Sequence, residues 1–207
     1  MRTDEQISKF LSFVLRHKPE SIGIALDAEG WTDVTTLLFA CENTIHKTSL
    51  EQLRRLTVRD KQRFALSEDE SKIRANQGHS TPYVKMTFEE KVPPQFLYHG
   101  TARQNVKSIE AIGLTKGGRH HVHMTEGILT ATEVGARYGD PVVFRILTAP
   151  MLRAGLKFYL SANHVWLADY VPASYLHQLE DEDVQAMMKV KPQMKTGPVG
   201  PVVQARV

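Results

Sequence analysis

Gly117-Gly118-Arg119-His120-His121-Val122-His123-Met124-Thr125 is the stretch on which the reading of this chain turns. The paired glycines permit a tight turn or a close approach of backbone to ligand. The residues after them have the make-up of a short strand. Strand alternation places Arg119, His121 and His123 on one face, with His120 and Val122 on the other. A guanidinium and two imidazoles just past a turn fit three descriptions: a polar strand end in solvent, part of a metal site, or part of an anion pocket. No further Cys, His or carboxylate stands nearby at zinc-like spacing, which counts against the metal. The anion pocket gains weight from arginines elsewhere in the chain.

The 207 residues suffice for one large domain or two small lobes, each with a core of its own. With 42% hydrophobic and 24% charged residues, the composition is that of a globular protein. The first residues, Met1-Arg2-Thr3-Asp4-Glu5-Gln6, carry acids and no apolar run, so no signal peptide is expected. No apolar run approaches a membrane span, and a single cysteine, Cys41, forms no internal disulfide; a reduced cytoplasmic protein is expected. The net charge of +3 is too small for a nonspecific polyanion coat. Residues 1–92 hold 14 Lys and Arg against 14 Asp and Glu, so recognition of a polyanion must come from local placement. Arg54, Arg55, Arg59, Lys61 and Arg63, against the single Asp60, form one such cluster, or simply a solvated helix face.

Outward from the central stretch, the first part of the chain reads as helices followed by a hairpin. Thr3 and Gln6 fit a capping box ahead of a stripe of Ile7, Phe10, Leu11 and Val14, and the helix should stop before Pro19. Arg16 and His17 then stand at its C-terminus, where cations are stabilising in any case. Asp33 is placed to cap a helix that buries Cys41. Thr48 to Glu51 reads as a second capping box, before Leu50, Leu53 and Leu56. Arg63–Leu66 and Ser71–Arg74 flank the acidic turn Ser67-Glu68-Asp69-Glu70 as a hairpin. Three helices and a hairpin outline a winged-helix module, a fold that does not by itself establish a use. Thr81 to Pro94, with three prolines, reads as a connector.

The second part reads as a strand, Phe96–Thr101, a helix ended by Gly113, the central stretch, and a helix near Ile128–Val134. The strand Pro141–Leu147 and the shorter pieces Phe158–Leu160 and Val165–Leu167 follow. Gly100 leaves room for a ligand beside the Thr101 hydroxyl. Beyond Glu180 the polar and then Pro/Gly-rich sequence is expected to be a mobile tail. The organisation expected is therefore α+β: a winged-helix-like lobe with connector over 1–92, a second lobe over 93–180, and a tail over 181–207.

Ser8-Lys9-Phe10-Leu11-Ser12, Leu15-Arg16-His17, Asp60-Lys61-Gln62-Arg63-Phe64, Ile73-Arg74-Ala75, Gln77-Gly78-His79-Ser80, His99-Gly100-Thr101, Arg119 with His121-Val122-His123, and Val165-Trp166-Leu167 stand in that order. In this order they resemble the RNA 2′-phosphotransferase family, over roughly Ser8 to Leu179. The resemblance implies a winged-helix-like RNA lobe and a lobe with the ADP-ribosyltransferase fold. It implies a catalytic tetrad of Arg16, His17, Arg63 and Arg119, and NAD binding by His99, Gly100, Thr101 and His123, with Gln77 and Ser80 as further candidates. Met124 replaces a usual leucine, a volume-conserving change, and His164 stands where many members have glycine.

The implied reaction has two steps. The 2′-phosphate of RNA attacks the nicotinamide ribose of NAD and expels nicotinamide; the ADP-ribosylated RNA then releases a plain 2′-OH and ADP-ribose 1″,2″-cyclic phosphate. Arginine forks suit both the phosphate and the charge that develops on it, and His17 suits the proton owed to the departing oxygen. The partner implied is RNA with an internal 2′-phosphate, tRNA-like or otherwise. A monomer is expected, with no metal and no membrane. The rival readings are an ADP-ribosyltransferase acting on protein or nucleic-acid ends, and a non-catalytic winged-helix RNA binder. Val165 stands where such a transferase commonly places glutamate, and an RNA binder would not need the second-lobe motifs.

Overall fold

A computed structural model describes residues 2–59 and 62–189. Helix α1 (Asp4–Arg16) opens on the expected capping box: Gln6 N donates to Thr3 Oγ1 at 3.3 Å, and Thr3 N donates to Gln6 Oε1 at 3.0 Å. Strand β1 (Trp31–Asp33) leads into α2 (Val34–Glu42), capped by Asp33 through a 2.7 Å bond from Thr36 N. Helix α3 (Leu50–Thr57) starts one residue later than the sequence suggests. Ser49, not Thr48, adopts the extended cap geometry and accepts from Gln52 N at 3.2 Å, while the Thr48 hydroxyl donates to His46 O. The hairpin β2 (Phe64–Leu66) and β3 (Lys72–Ala75) pairs Phe64 with Ala75 and Leu66 with Ile73, and β1 joins its other edge in the order β1-β3-β2. Helices and sheet close on Leu11, Leu15, Leu37, Leu53, Phe64 and Ile73, all buried. Cys41 lies in this core, and burial pushes its thiol up to about 11.

The connector is anchored at several points. Val84 is fully buried in the first core, Lys85 N donates to Ala28 O at 2.7 Å, and Thr87 hydrogen-bonds Glu29. Two residues later, β4 (Glu89–Glu90) becomes the edge strand of a different sheet.

That sheet runs β4-β9-β10-β7, with β7 at Val122–Met124, β9 at Tyr159–Leu160 and β10 at Trp166–Ala168. A second sheet runs β12-β8-β5, with β5 at Phe96–Ala102, β8 at Pro141–Leu147 and β12 at Leu176–Gln178. A small pair joins β6 (Leu114–Thr115) to β11 (Tyr170–Val171). Among the described residues every pairing is antiparallel, and Leu97, Met124, Phe144, Ile146, Phe158 and Trp166 share one buried core. Helices segregated from antiparallel sheets make this an α+β fold.

Helix α4 (Val106–Ile112) ends at Gly113 as expected, and α5 (Ile128–Gly135) lies on β5. A Cβ on Gly100 would stand 1.7 Å from the Ala131 carbonyl oxygen. The space opened by this glycine is therefore filled by helix backbone rather than left for a ligand. Helix α6 (Thr148–Arg153) was hidden by Pro150, which the first helical turn tolerates because its N–H needs no partner. Helix α7 (Asp181–Lys189) occupies the start of the expected tail; its Val184 packs with Ala131, Val143 and Leu179. The polar composition there reflects a helix with one buried face. The rest of that tail, residues 190–207, lies outside the described residues.

Candidate active site

Strand β7 begins only at Val122. Arg119 N donates to Lys116 O at 3.1 Å, Gly117 has φ +57°, and the chain stays in turns and bends through His121. The alternation expected from Arg119 onward is therefore not realised. Val122 enters the core, whereas His120, His121 and His123 all border one small cavity with Gly78, His79 and Phe88. His121 meets the rings of Phe88 and Tyr159 edge-on.

Arg16 ends α1 and His17 is its C-cap. The loop after β3 folds back over them: Ser80 N donates to Arg16 O at 2.9 Å, and the Ser80 hydroxyl lies 2.9 Å from His17 Nδ1. Gly78, at φ +89°, presses its backbone on the Arg16 side chain, with the Cβ position 3.6 Å from Arg16 Cδ. Gln77 sits half-buried in the same loop. Arg63 stands just before β2. Asn76 holds it there, donating from its backbone to Arg63 O at 2.9 Å and from its side chain to Gln62 O at 2.6 Å, while Arg63 Nη1 donates to Ser8 Oγ at 2.9 Å.

The electrostatics of this cluster are one-sided. Arg16 Nε and Nη2 are buried without partners. Burial, then the charges of Arg63 and Arg119, lower the Arg16 guanidinium to about 10. Burial, then Arg16 and Arg119, push the His17 imidazole below its ordinary value. No carboxylate is among the charges bearing on either residue. The fold thus gathers Arg16, His17, Arg63 and Arg119 from distant parts of the chain, with no acid bearing on Arg16 or His17 and only Glu5 bearing on Arg63. A buried guanidinium without acceptors is costly, and an anion bound there would supply them.

Beside the cluster the two larger sheets meet at a single point. Tyr98 and Thr125 exchange backbone bonds of 2.7 and 2.9 Å, and β5 and β7 share no other pairing among the described residues. His99 Nδ1 instead donates to His123 O at 2.9 Å, so a side chain bridges the seam between the two strands where backbone pairing stops. Strand alternation turns the N–H and C=O of Gly100 to the same edge as those of Tyr98, into that seam. The Thr101 hydroxyl accepts from Asn105 Nδ2 at 3.0 Å and is buried. Burial, then Arg119 and Arg16, drive His123 down to about 3, and its Nε2 has no partner. His79, buried with an unpartnered Nε2 and pushed down to about 4, faces the same cavity. Nothing in its sequence context singles it out from the loop around it. Arg137 was also missed: among charges, it weighs most on Arg63, yet in sequence it looks like an ordinary cation after a helix.

Arginines and histidines gathered where two sheets part are chemically suited to an anion such as a phosphate. A family profile described as RNA 2′-phosphotransferase, Tpt1 / KptA family, matches residues 2–170. The chain is similar to the RNA 2′-phosphotransferase of Escherichia coli strain K12, 46% identical over 170 residues, covering 82% of this chain and 92% of that protein. It is 46% identical over 178 residues to a probable RNA 2′-phosphotransferase of Pseudomonas syringae pv. tomato, covering 86% of this chain and 95% of that one. A protein of the same description from Burkholderia lata is 45% identical over 178 residues, covering 84% and 91%. The chain belongs to the RNA 2′-phosphotransferase family, and is a transferase.

Proposed function

We propose that this protein removes an internal 2′-phosphate from RNA by transfer to NAD, through an ADP-ribosylated RNA, with nicotinamide and ADP-ribose 1″,2″-cyclic phosphate as products. The observation that carries the reading is the buried Arg16 guanidinium, with two unpartnered nitrogens and only cations around it. Such a group fits a phosphate dianion, which offers acceptors and opposite charge at once. Arg16 and Arg63 hold the phosphate with planar forks. Ser80 fixes the His17 ring through Nδ1, leaving Nε2 to face the phosphate. A neighbouring dianion favours the charged imidazole, so binding offsets the depression of His17 and readies it to protonate the departing RNA oxygen.

The seam between β5 and β7 fits the nicotinamide end of NAD. A carboxamide needs one donor and one acceptor, and the Gly100 N–H and C=O provide both along an open strand edge. His99, held by its bond to His123 O, and the unpartnered His123 border this seam. Bound there, NAD would supply the electrophilic ribose carbon and a leaving group already activated by its charge. Arg119 approaches the phosphate from this side and balances charge on it. In the proposed organisation the first three helices and the β2–β3 hairpin serve as a winged-helix-like RNA lobe, and the paired sheets as an ADP-ribosyltransferase-like lobe, within a monomer. The test is nicotinamide release from NAD with matched RNAs. Release only when the RNA carries a 2′-phosphate supports the reading; release with a protein acceptor alone, or with unphosphorylated RNA, overturns it.

A further inference from the structure

The motif Ser8-Lys9-Phe10-Leu11-Ser12 opens the family resemblance, yet it has no part in the reaction proposed above. Its first residue carries a buried hydroxyl, only 6% exposed, on α1 about two turns ahead of Arg16. Ser8 Oγ accepts from Arg63 Nη1 at 2.9 Å, across 55 residues of sequence. Other arginines of this protein are held by acids: Arg54 by Glu70, Arg55 by Asp4 and Glu51, and Arg103 by Asp140. Ser8 holds Arg63 with a neutral oxygen.

The difference matters for a group that must bind an anion. A carboxylate fixes the guanidinium but cancels its charge, whereas a hydroxyl fixes it and leaves the charge for a ligand. A bond at Nη1 also leaves the Nε and Nη2 donors for a two-pronged grip. The main chain is fixed separately. Buried Asn76 donates from Nδ2 to Gln62 O at 2.6 Å and from its backbone N–H to Arg63 O at 2.9 Å, with Gln62 at φ +33°. Arg63 therefore leaves the chain at a set point, and Ser8 sets where its long side chain ends. Because α1 carries both Ser8 and Arg16, one helix supplies the first fork and steers the second.

We propose that Ser8 is a positioning residue that aims the Arg63 guanidinium at the 2′-phosphate without neutralising it. The inference rests on the 2′-phosphotransferase reading. It gives a buried hydroxyl a part in telling 2′-phosphorylated RNA from plain RNA, acting only through Arg63. A serine that merely satisfies a half-buried arginine would instead act on stability and leave that discrimination alone.

The experiment measures binding by the full-length protein of two RNA oligonucleotides, identical except for one internal 2′-phosphate. Ser8→Ala is expected to reduce the preference for the phosphorylated strand about tenfold, as for one hydrogen bond to a charged group, and to leave the plain strand within about twofold. Ser8→Cys keeps the volume with a poor acceptor, so it should show the same loss even where alanine destabilises the fold. Ser8→Thr, which keeps the oxygen, should restore most of the preference. In an Arg63→Ala background, Ser8→Ala should change the preference by less than about twofold, since the group it aims is gone. An equal loss with and without Arg63, or no loss in Ser8→Cys, overturns the proposal. So does a wild type that shows no preference. If the wild type prefers the phosphorylated strand but releases no nicotinamide from NAD, the functional reading fails while the cycle of variants still decides the role of Ser8.

Discussion

Ser80 holds His17 by its hydroxyl, 2.9 Å from Nδ1, while its backbone N–H is tied to the carbonyl of Arg16. One residue of a loop thus orients both the imidazole and the helix end that carries the buried guanidinium. Ser80→Ala keeps the backbone tie and frees only the ring. The variant should lose about fivefold in kcat, near 1 kcal/mol for one hydrogen bond, with little change in KM for RNA. A rise in KM at constant kcat would mean that Ser80 touches the RNA instead.

Arg119 lies at the turn before β7, and its charge reaches Arg16, His17, His99 and His123. It approaches the phosphate from the side proposed to hold NAD. Arg119→Ala should slow the second step more than the first, by about 10²- to 10³-fold. ADP-ribosylated RNA should then accumulate in a single-turnover gel. Equal slowing of both steps, with no intermediate band, would refute this division of labour.

His79 and His123 are held neutral, at about 4 and about 3. Below the ordinary histidine value the unfolded chain takes up protons that the folded chain refuses, so stability falls as pH falls. For His79 the window runs from about pH 6.5 to about pH 4, and the loss approaches 3 kcal/mol at its acid end. Melting curves across that range should show it, and His79→Gln should flatten the dependence. Undiminished acid sensitivity in that variant would place its source elsewhere.

His164 adopts φ +57° in the turn after Ser161, with its N–H bonded to Ser161 O at 2.9 Å. Glycine adopts this left-handed conformation without strain, and the His164 ring is exposed. His164→Gly should raise stability by about 0.5–1 kcal/mol in urea unfolding, with turnover unchanged. A loss of stability would show that the imidazole makes a contact worth more than the strain.

Local chemistry made much of this molecule legible. Thr3, Asp33 and Gly113 mark helix ends by interactions within a few residues, and Ile7, Leu11 and Val14 mark a buried face by spacing alone. What escaped depends on distant partners. The pairing of β6 with β11, the docking of α7 through Val184, and the seat of α5 on Gly100 have no short-range signal. At the site, the motifs brought forward Arg16, His17, Arg63 and Arg119, because the resemblance lies in those residues. His79 and Arg137 emerged only when burial and facing charges were in view.

The segment from Val84 to Glu90 carries a consequence for anyone building hybrids of this protein. Val84 is sealed beneath the first set of helices, and six residues on, Glu90 lies against Tyr159 with its carboxylate on Lys157. A splice at the prolines that follow would carry away a border of the recipient's sheet. A splice before Val84 would uncap the donor's interior. Chimeras of related chains should therefore exchange this thread together with both of its moorings, since neither parent can lend half of it.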